Sequence, residues 1–420
     1  MAEGLAARQA AVAILGAVLG EGRLLAEVLA DPEGPQAPLT PADRARAQRL
    51  ALIVLRHLDQ ADHVLTPLMR KPPPRLARDA LRLAVCEMAV DRAAAHGAVN
   101  AAVEIVRRGR RTGHLAGLVN AVLRQVAALP DPFAGLPPQR LPQWLRQPLV
   151  RAWGRPAVAA IEAVQAAPPP VDLTLRQGAV PPPGAVALPT GSWRLAGAGQ
   201  ISALPGYDAG DFWVQDAAAA LAVPILAPRP DEVVADLCAA PGGKTLQLAA
   251  AGARVWAVDA SDRRLDRLRQ NLARTGLAAQ VATADALDWQ PPEPLDAILL
   301  DAPCSASGTI RRHPDLPFVK SAADLPGLID LQARLIDRAV ALLRPGGRLV
   351  FCTCSLLPDE GEGQLDAALA RHPALRVDPP QARGIDPVWI TPQGGLRLRP
   401  DLWADRGGMD GFFIVRMRLS

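Results

Sequence analysis

Asp236-Leu237-Cys238-Ala239-Ala240-Pro241-Gly242-Gly243-Lys244-Thr245 starts inside a short, mostly apolar run, Val233–Leu237, and ends in residues that can open a helix. The run is too short for a core helix and is bounded by small residues, so it reads as a buried strand. The small-residue turn after it lets a ligand approach the backbone. Such turns lie at the carboxyl edge of open α/β sheets, where these folds bind ligands. The pattern is neither GxGxxG nor GxxxxGK[ST], which makes dinucleotide and phosphate cradles poor matches and argues against a nicotinamide-dependent oxidoreductase.

Working downstream, 255–258 reads as a second strand and 262–275 as a charged helix; 281–283 is a third strand and 295–300 another apolar run. A long helix is expected over about 328–343. Pro345-Gly346-Gly347 then turns the chain into a strand at 349–353, and a late strand covers 412–417. Strands alternating with helices predict an α/β, doubly wound, Rossmann-like sheet. Upstream, apolar residues recur at helical spacing throughout 5–129: Leu15, Val18 and Leu19; Leu50, Ile53 and Val54; Leu81, Val85 and Met88; Val99, Val103 and Val106; Leu118, Val122 and Leu123. Between these halves, 140–228 is mixed. It holds a helix within 140–166, an alternating strand at Val171–Leu175, and Phe212-Trp213-Val214-Gln215-Asp216 leading to an apolar helix that ends near Pro228. The expected organisation is an all-α domain over 1–132, a small α+β region over 140–228, and the α/β domain over 229–420.

Charge is unevenly placed in the 420 residues. Residues 1–130 carry 17 Arg or Lys against 12 Asp or Glu, and the remainder carries 29 against 30. The N-terminal part therefore has the bias for a polyanionic partner, although a basic solvated helical face gives the same pattern. Five cysteines, Cys86, Cys238, Cys304, Cys352 and Cys354, form neither a disulfide framework nor a pattern with zinc-ligand spacing. No secretory signal opens the chain and no apolar run reaches the roughly 18 residues of a membrane span. A reducing cytoplasm, a monomer and no metal are the expectations.

Three Asp follow successive strands. Asp259 ends the second strand, sixteen residues after Gly243, where a carboxylate can accept ribose hydroxyls; Asp285 follows the third strand and can hold an adenine amine; Asp301 ends the run at 295–300. A lone Asp at such a place is usually a turn or cap residue, a reading that weakens for three in series. Asp301-Ala302-Pro303-Cys304 and Cys352-Thr353-Cys354-Ser355 both lie at strand ends, so Cys304 and Cys354 converge on one sheet edge. Strand alternation puts Cys352 on the face of Cys354 and Thr353 opposite. Cys86 and Cys238 read as buried small hydrophobes, and Cys352 shares that reading. Lys244 is one of three lysines in an Arg-rich chain, with Lys71 and Lys320. Its ammonium suits either a cofactor carboxylate or a catalytic acid, with a solvent-facing helix start as the bland alternative. Arg311 and Arg312, in a loop beyond Cys304, are candidates for phosphate contacts; His313 beside them reads as a loop residue.

Two thiols beside a cofactor-type turn point to covalent chemistry on a pyrimidine. A thiolate adding to C6 makes C5 enamine-like, and C5 then attacks an electrophilic methyl. On 236–245, 301–315, Thr353-Cys354-Ser355 and Gly411-Phe412-Phe413, the chain resembles the NOL1/NOP2/Sun group of RNA cytosine-5 methyltransferases and, within it, the bacterial RsmB (Sun/Fmu) family acting on 16S ribosomal RNA. The resemblance implies S-adenosylmethionine bound by Cys238, Ala239, Ala240, Pro241, Gly242, Gly243, Lys244, Asp259, Asp285 and Asp301. It also implies Cys354 as nucleophile and Cys304 assisting proton removal or release, while the chemistry itself gives Asp301 a place donating to or orienting N3 and the exocyclic amine when it is protonated or bridged. His96-Gly97-Ala98-Val99-Asn100 and Leu118-Val119-Asn120-Ala121 are similar to the NusB-type helical RNA-binding fold. Two departures stand out: a cysteine, Cys352, precedes the Thr-Cys-Ser triplet, and the acidic pair Asp359-Glu360 lacks the family's neighbouring Asn.

Overall fold

The computed structural model describes residues 4–197 and 199–420. Its contacts divide the chain into two compact units, Met1–Ala167 with Ile310–Ser321, and Pro168–Thr309 with Ala322–Ser420. The helix expected within 140–166 packs with the first unit, whereas the strands that follow it belong to the second.

The first unit is all-α: α1 (Leu5–Glu21), α2 (Leu25–Ala30), α3 (Pro41–Arg56), α4 (Leu58–Leu65), α5 (Arg75–Ala89), α6 (Ala95–Arg108), α7 (Ala116–Ala127) and α8 (Gln143–Ala166). Ile14, Leu15 and Val18 of α1, Leu50 and Val54 of α3, Leu81 and Val85 of α5, and Val122 and Leu123 of α7 share one buried core. Their i, i+3, i+4 spacing gives each helix a single apolar stripe. Helix α3 starts where its sequence says it should: the Thr40 side chain accepts the Asp43 N–H and proline occupies the first turn. Helix α8 is broken at Gly154, whose φ of 80° no helix contains.

The second unit opens with a four-stranded antiparallel sheet, β1 (Val171–Leu175), β2 (Val186–Ala187), β3 (Trp193–Leu195) and β4 (Phe212–Val214), in the order β2-β3-β1-β4. A short helix, α9 (Ala222–Leu226), then leads to the large sheet. That sheet comprises β5 (Val233–Leu237), α10 (Gly243–Ala250), β6 (Arg254–Asp259), α11 (Asp262–Thr275), β7 (Gln280–Thr283) and β8 (Leu295–Asp301). The chain next passes through the first unit, forming α12 (Leu316–Val319), and returns as α13 (Leu325–Leu342), β9 (Leu343–Thr353), α14 (Glu362–Arg371), β10 (Leu375–Asp378), β11 (Leu396–Leu398) and β12 (Phe412–Leu419). Strand order is β10-β12-β9-β8-β5-β6-β7, with β11 also paired to β12. The five strands from β9 to β7 are parallel and β12 runs antiparallel to β9. Parallel sheets covered on both faces need continuous apolar strands, and every residue of β5 is buried. The expected turn at Pro345-Gly346-Gly347 exists as an irregularity inside one strand. Leu295 pairs Leu343 but Ala297 pairs Arg348, so β9 loops out there with Gly346 at a φ of 76°.

Leu300 of β8 is fully buried in the core beneath the sheet edge. Leu300→Ala is expected to lower unfolding free energy by about 2–5 kcal/mol, read as a fall in the urea midpoint, whereas Val388→Ala, at a side chain 78% exposed, leaves it unchanged.

Candidate active site

Register sets the site. Leu237 of β5 pairs Val258 of β6 and Leu300 of β8, Val258 pairs Ala282 of β7, and Asp301 pairs Cys352 of β9. The carboxyl ends of five strands therefore share one edge. The turn at 238–243 is held in conformations that few residues adopt: Cys238 has a φ of 62° and Gly242 one of 106°. A Cβ on Gly242 would meet Leu268 at 2.3 Å, so glycine is required there twice over.

The turn is tied down by two carboxylates. Asp259 is buried and accepts the Ala240 N–H at 3.1 Å and the Ser261 N–H at 3.0 Å, with the Arg264 guanidinium 3.6 Å away. Asp236, fully buried beneath the turn, accepts the Thr245 hydroxyl at 2.5 Å, while its other oxygen has no partner. Burial pushes the Asp236 carboxyl up to about 7 against the Thr245 bond and the Lys244 charge. Asp285 is exposed and accepts the Leu287 N–H at 2.9 Å, so one of its oxygens serves as a turn cap.

Lys244 is buried and donates to Asp301 at 2.7 Å, with its ammonium 5.2 Å from the centre of the Phe412 ring. Burial pulls the pKa of this lysine down, but the Asp301 carboxylate outweighs it and holds the pKa above the ordinary value. Cys352 is fully buried and donates to the other oxygen of Asp301 at 3.5 Å. Its thiol is pushed well up by burial and then by the Asp301 charge.

The sulfurs of Cys304 and Cys354 meet at 3.4 Å, both half-buried. The hydrogen bond to Cys354, followed by burial, raises the Cys304 thiol well above its usual range. Cys238 is pushed up to about 12 by burial and the Asp301 and Asp259 charges. Cys86 lies in the core of the first unit, where burial raises its thiol.

The two arginines beyond Cys304 part company. Arg311 is 1% exposed and folded into the first unit, where its charge, after burial, helps pull Arg56 down to about 10. Burial takes Arg311 out of the phosphate-contact role expected of it, and Arg312 remains exposed. Ser305, Ser307, Gln332, Ser355 and Glu360, none singled out in the sequence for chemistry, form a buried polar network under the two thiol loops. Among the described residues, no group of three or more His, Cys, Asp or Glu is placed to hold a metal ion, and no helix is long and apolar enough to cross a membrane.

A helical domain followed by a strand-end site on a Rossmann-like sheet defines a two-part methyltransferase. Residues 5–128 match the NusB family and residues 223–418 the 16S rRNA methyltransferase RsmB/F family. The chain is 36% identical to ribosomal RNA small subunit methyltransferase B of Sodalis glossinidius over 382 residues, covering 85% of this chain and 87% of that one. It is 37% identical to the protein of the same name from Xanthomonas campestris over 403 residues, covering 90% and 91%. The fold is shared with the crystal structure of PH0851 at a TM-score of 0.74 and 22% identity, over 98% of each chain. The chain belongs to the ribosomal RNA small subunit methyltransferase B family.

The raised Asp236 carboxyl makes a stability prediction. A carboxyl that titrates near 4 when unfolded and near 7 when folded stabilises the fold fully below pH 4, and that contribution is lost as pH rises toward 7. Asp236→Asn cannot ionise. Its unfolding free energy relative to the parent should therefore climb between pH 4 and 7, by on the order of 4 kcal/mol at most, and level off above. Urea melts of both proteins at pH 4 and pH 8 measure the difference.

Proposed function

We propose that this chain transfers a methyl group from S-adenosylmethionine to C5 of a cytosine in 16S ribosomal RNA, through a covalent bond between Cys354 and C6. The observation that carries the reading is the contact of the Cys304 and Cys354 sulfurs beside the Lys244–Asp301 pair at one sheet edge.

The residues of that edge fit the cofactor. Asp259 ends β6 and Asp285 follows the neighbouring β7 by two residues, where their carboxylates suit ribose hydroxyls and an adenine amine, and Cys238, Ala239, Ala240, Pro241, Gly242 and Gly243 make the small-residue turn between β5 and α10. Asp301 and Lys244 border the same place. S-adenosylmethionine supplies, when bound, the electrophilic methyl that C5 takes up.

The protein's part is nucleophilic and positional. Cys354 gives its proton to solvent, its sulfur bonds to C6, and the C5–C6 double-bond electrons shift so that C5 becomes nucleophilic. Asp301, anchored on one oxygen by Lys244, accepts from the exocyclic amine and fixes the ring. After methylation the C5 proton passes to solvent water, the C5–H electron pair re-forms the C5–C6 double bond, and the C6–sulfur bond breaks with its pair going to Cys354. Cys304, in contact with that sulfur and with a raised pKa, is placed to carry a proton during this release. The target base has to leave its stack to reach the edge. In the same reading, 1–132 binds RNA, 140–228 contributes to recognition, and 229–420 performs the transfer, in a cytoplasmic monomer. Arg312 contacts phosphate.

A denaturation-resistant protein–RNA adduct tests the chemistry. With unmodified 16S RNA and S-adenosylmethionine, Cys304→Ala should accumulate the adduct and Cys354→Ala should form none. An adduct on Cys354→Ala overturns the assignment and moves it to Cys304 or Cys352. RNA binding is tested in the first unit, where Arg110 and Arg111 are exposed just past α6. Replacing both by alanine should weaken RNA binding across sequences and reduce the slope of log affinity against log salt by about one to two, measured by filter binding from low to physiological salt.

A further inference from the structure

Two sulfurs on separate loops have to stay in contact while one of them is bonded to substrate, and a single buried side chain connects those loops. Glu360, in the tight turn Pro358–Glu360, is fully buried. One carboxylate oxygen accepts the Ser305 N–H at 2.9 Å and the Gln332 amide at 3.0 Å; the other accepts the Ser355 hydroxyl at 2.6 Å. The Gln332 amide also donates to the Pro303 carbonyl at 2.9 Å, and the Thr353 hydroxyl donates to the Glu360 carbonyl at 2.8 Å. Pro303 and Ser305 flank Cys304, and Thr353 and Ser355 flank Cys354. All four reach Glu360, three directly and Pro303 through Gln332.

We propose that Glu360 is the positioning residue of the thiol pair, clamping the Cys304 loop to the Cys354 loop from below. The proposal rests on the reading of these thiols as the working pair. A buried carboxylate costs free energy that neutral donors only offset in part, and an apolar residue of the same size would fill the space more cheaply. Its presence under both thiols matches a demand for geometry and charge at that place. The groups facing Cys304 are Cys354 from the end of β9 and Glu360 from its turn, and both favour the protonated form of Cys304.

Three variants of the full chain separate clamp from charge. Glu360→Gln keeps an acceptor for Ser305 and Gln332 and removes the charge. Glu360→Asp keeps the charge on a side chain one methylene shorter. Iodoacetamide alkylation of Cys304, followed by peptide mass spectrometry against pH, reports the thiol without RNA; methyl transfer to 16S RNA gives kcat and KM. For Glu360→Gln, the Cys304 midpoint should move to lower pH, raising alkylation at a fixed pH about tenfold per unit moved. Its kcat should fall by about tenfold or more with KM for RNA unchanged. Glu360→Asp should keep the parent midpoint and lose kcat. A parent midpoint and parent kcat in Glu360→Gln overturn the proposal. If that variant does not melt cooperatively, Gln332→Ala removes the amide that links Glu360 to Pro303 and leaves the Glu360 carboxylate in place, and an undiminished kcat there overturns the proposal equally. A moved midpoint in a protein whose parent does not methylate RNA sinks the proposed reaction and leaves the clamp standing; an unmoved midpoint in an active protein sinks the clamp alone.

Discussion

Lys244 and Asp301 belong to segments that leave adjacent strands, β5 and β8, and they meet at 2.7 Å with the lysine side chain 9% exposed and the aspartate 28%. An ion pair this deep returns little net stability, because taking both charges out of water costs about what their attraction repays. Removing one member is another matter, since it strands the other charge in the interior. The pair is therefore better understood as a latch than as a source of stability. It joins the first turn of α10 to the end of β8, takes the Cys352 thiol of β9 on its other oxygen, and lies beside Phe412 at the start of β12. The start of α10 and the ends of β8 and β9 meet at one carboxylate.

Backbone closeness does for the Cys304 loop what the ion pair does for the turn. Gly308 donates to the Cys354 carbonyl at 2.9 Å, and Gly411 donates to the Gly308 carbonyl at 2.8 Å. A Cβ on Gly308 would lie 2.1 Å from the Gly411 carbonyl oxygen, and one on Gly411 would lie 2.9 Å from the Gly308 Cα. Neither neighbour is a flexible side chain that can yield. Both glycines are thus demanded by a chain crossing, and this gives the Gly411-Phe412-Phe413 signature a physical content: it roofs the loop and the lysine together.

The parts of this architecture that could be read from sequence are those carried by local pattern. Apolar runs marked β5, β6 and β8 because parallel strands buried on both faces leave no room for polar alternation. Asp301, Cys304 and Cys354 were legible because strand ends in such a sheet gather on one edge. Strands of two or three residues, such as β2 and β3, carry no period to detect, so the small antiparallel sheet was not foreseen beyond β1. Arg311 looks like a loop cation in sequence. Its burial follows from the packing of Ile310–Ser321 with the helical unit, where the Asp315 carboxylate also accepts the Leu25 N–H across 290 residues. Glu360 and Gln332 were silent for the same reason. Their meaning lies in partners 28 to 55 residues away, and no spacing rule links a glutamate in a tight turn to a glutamine in the middle of a helix.

The three thiols at the ends of β8 and β9 show how position alone assigns different surroundings to one side chain. Cys352 and Cys354 point to the same face of β9 and sit two residues apart, about 7 Å along the strand. The inner one is sealed from solvent, and burial together with the Asp301 charge keeps its proton on. A sulfur in that state donates to the Asp301 carboxylate. The outer one lies past the last paired residue, Thr353, remains partly open, and touches Cys304. A nucleophile has to reach solvent-borne substrate and then leave it. Of the two neighbours, only Cys354 is both partly open and in contact with a second thiol, which in the proposed reaction suits it to the nucleophile's part, while Cys352 adds a donor to the Asp301 latch.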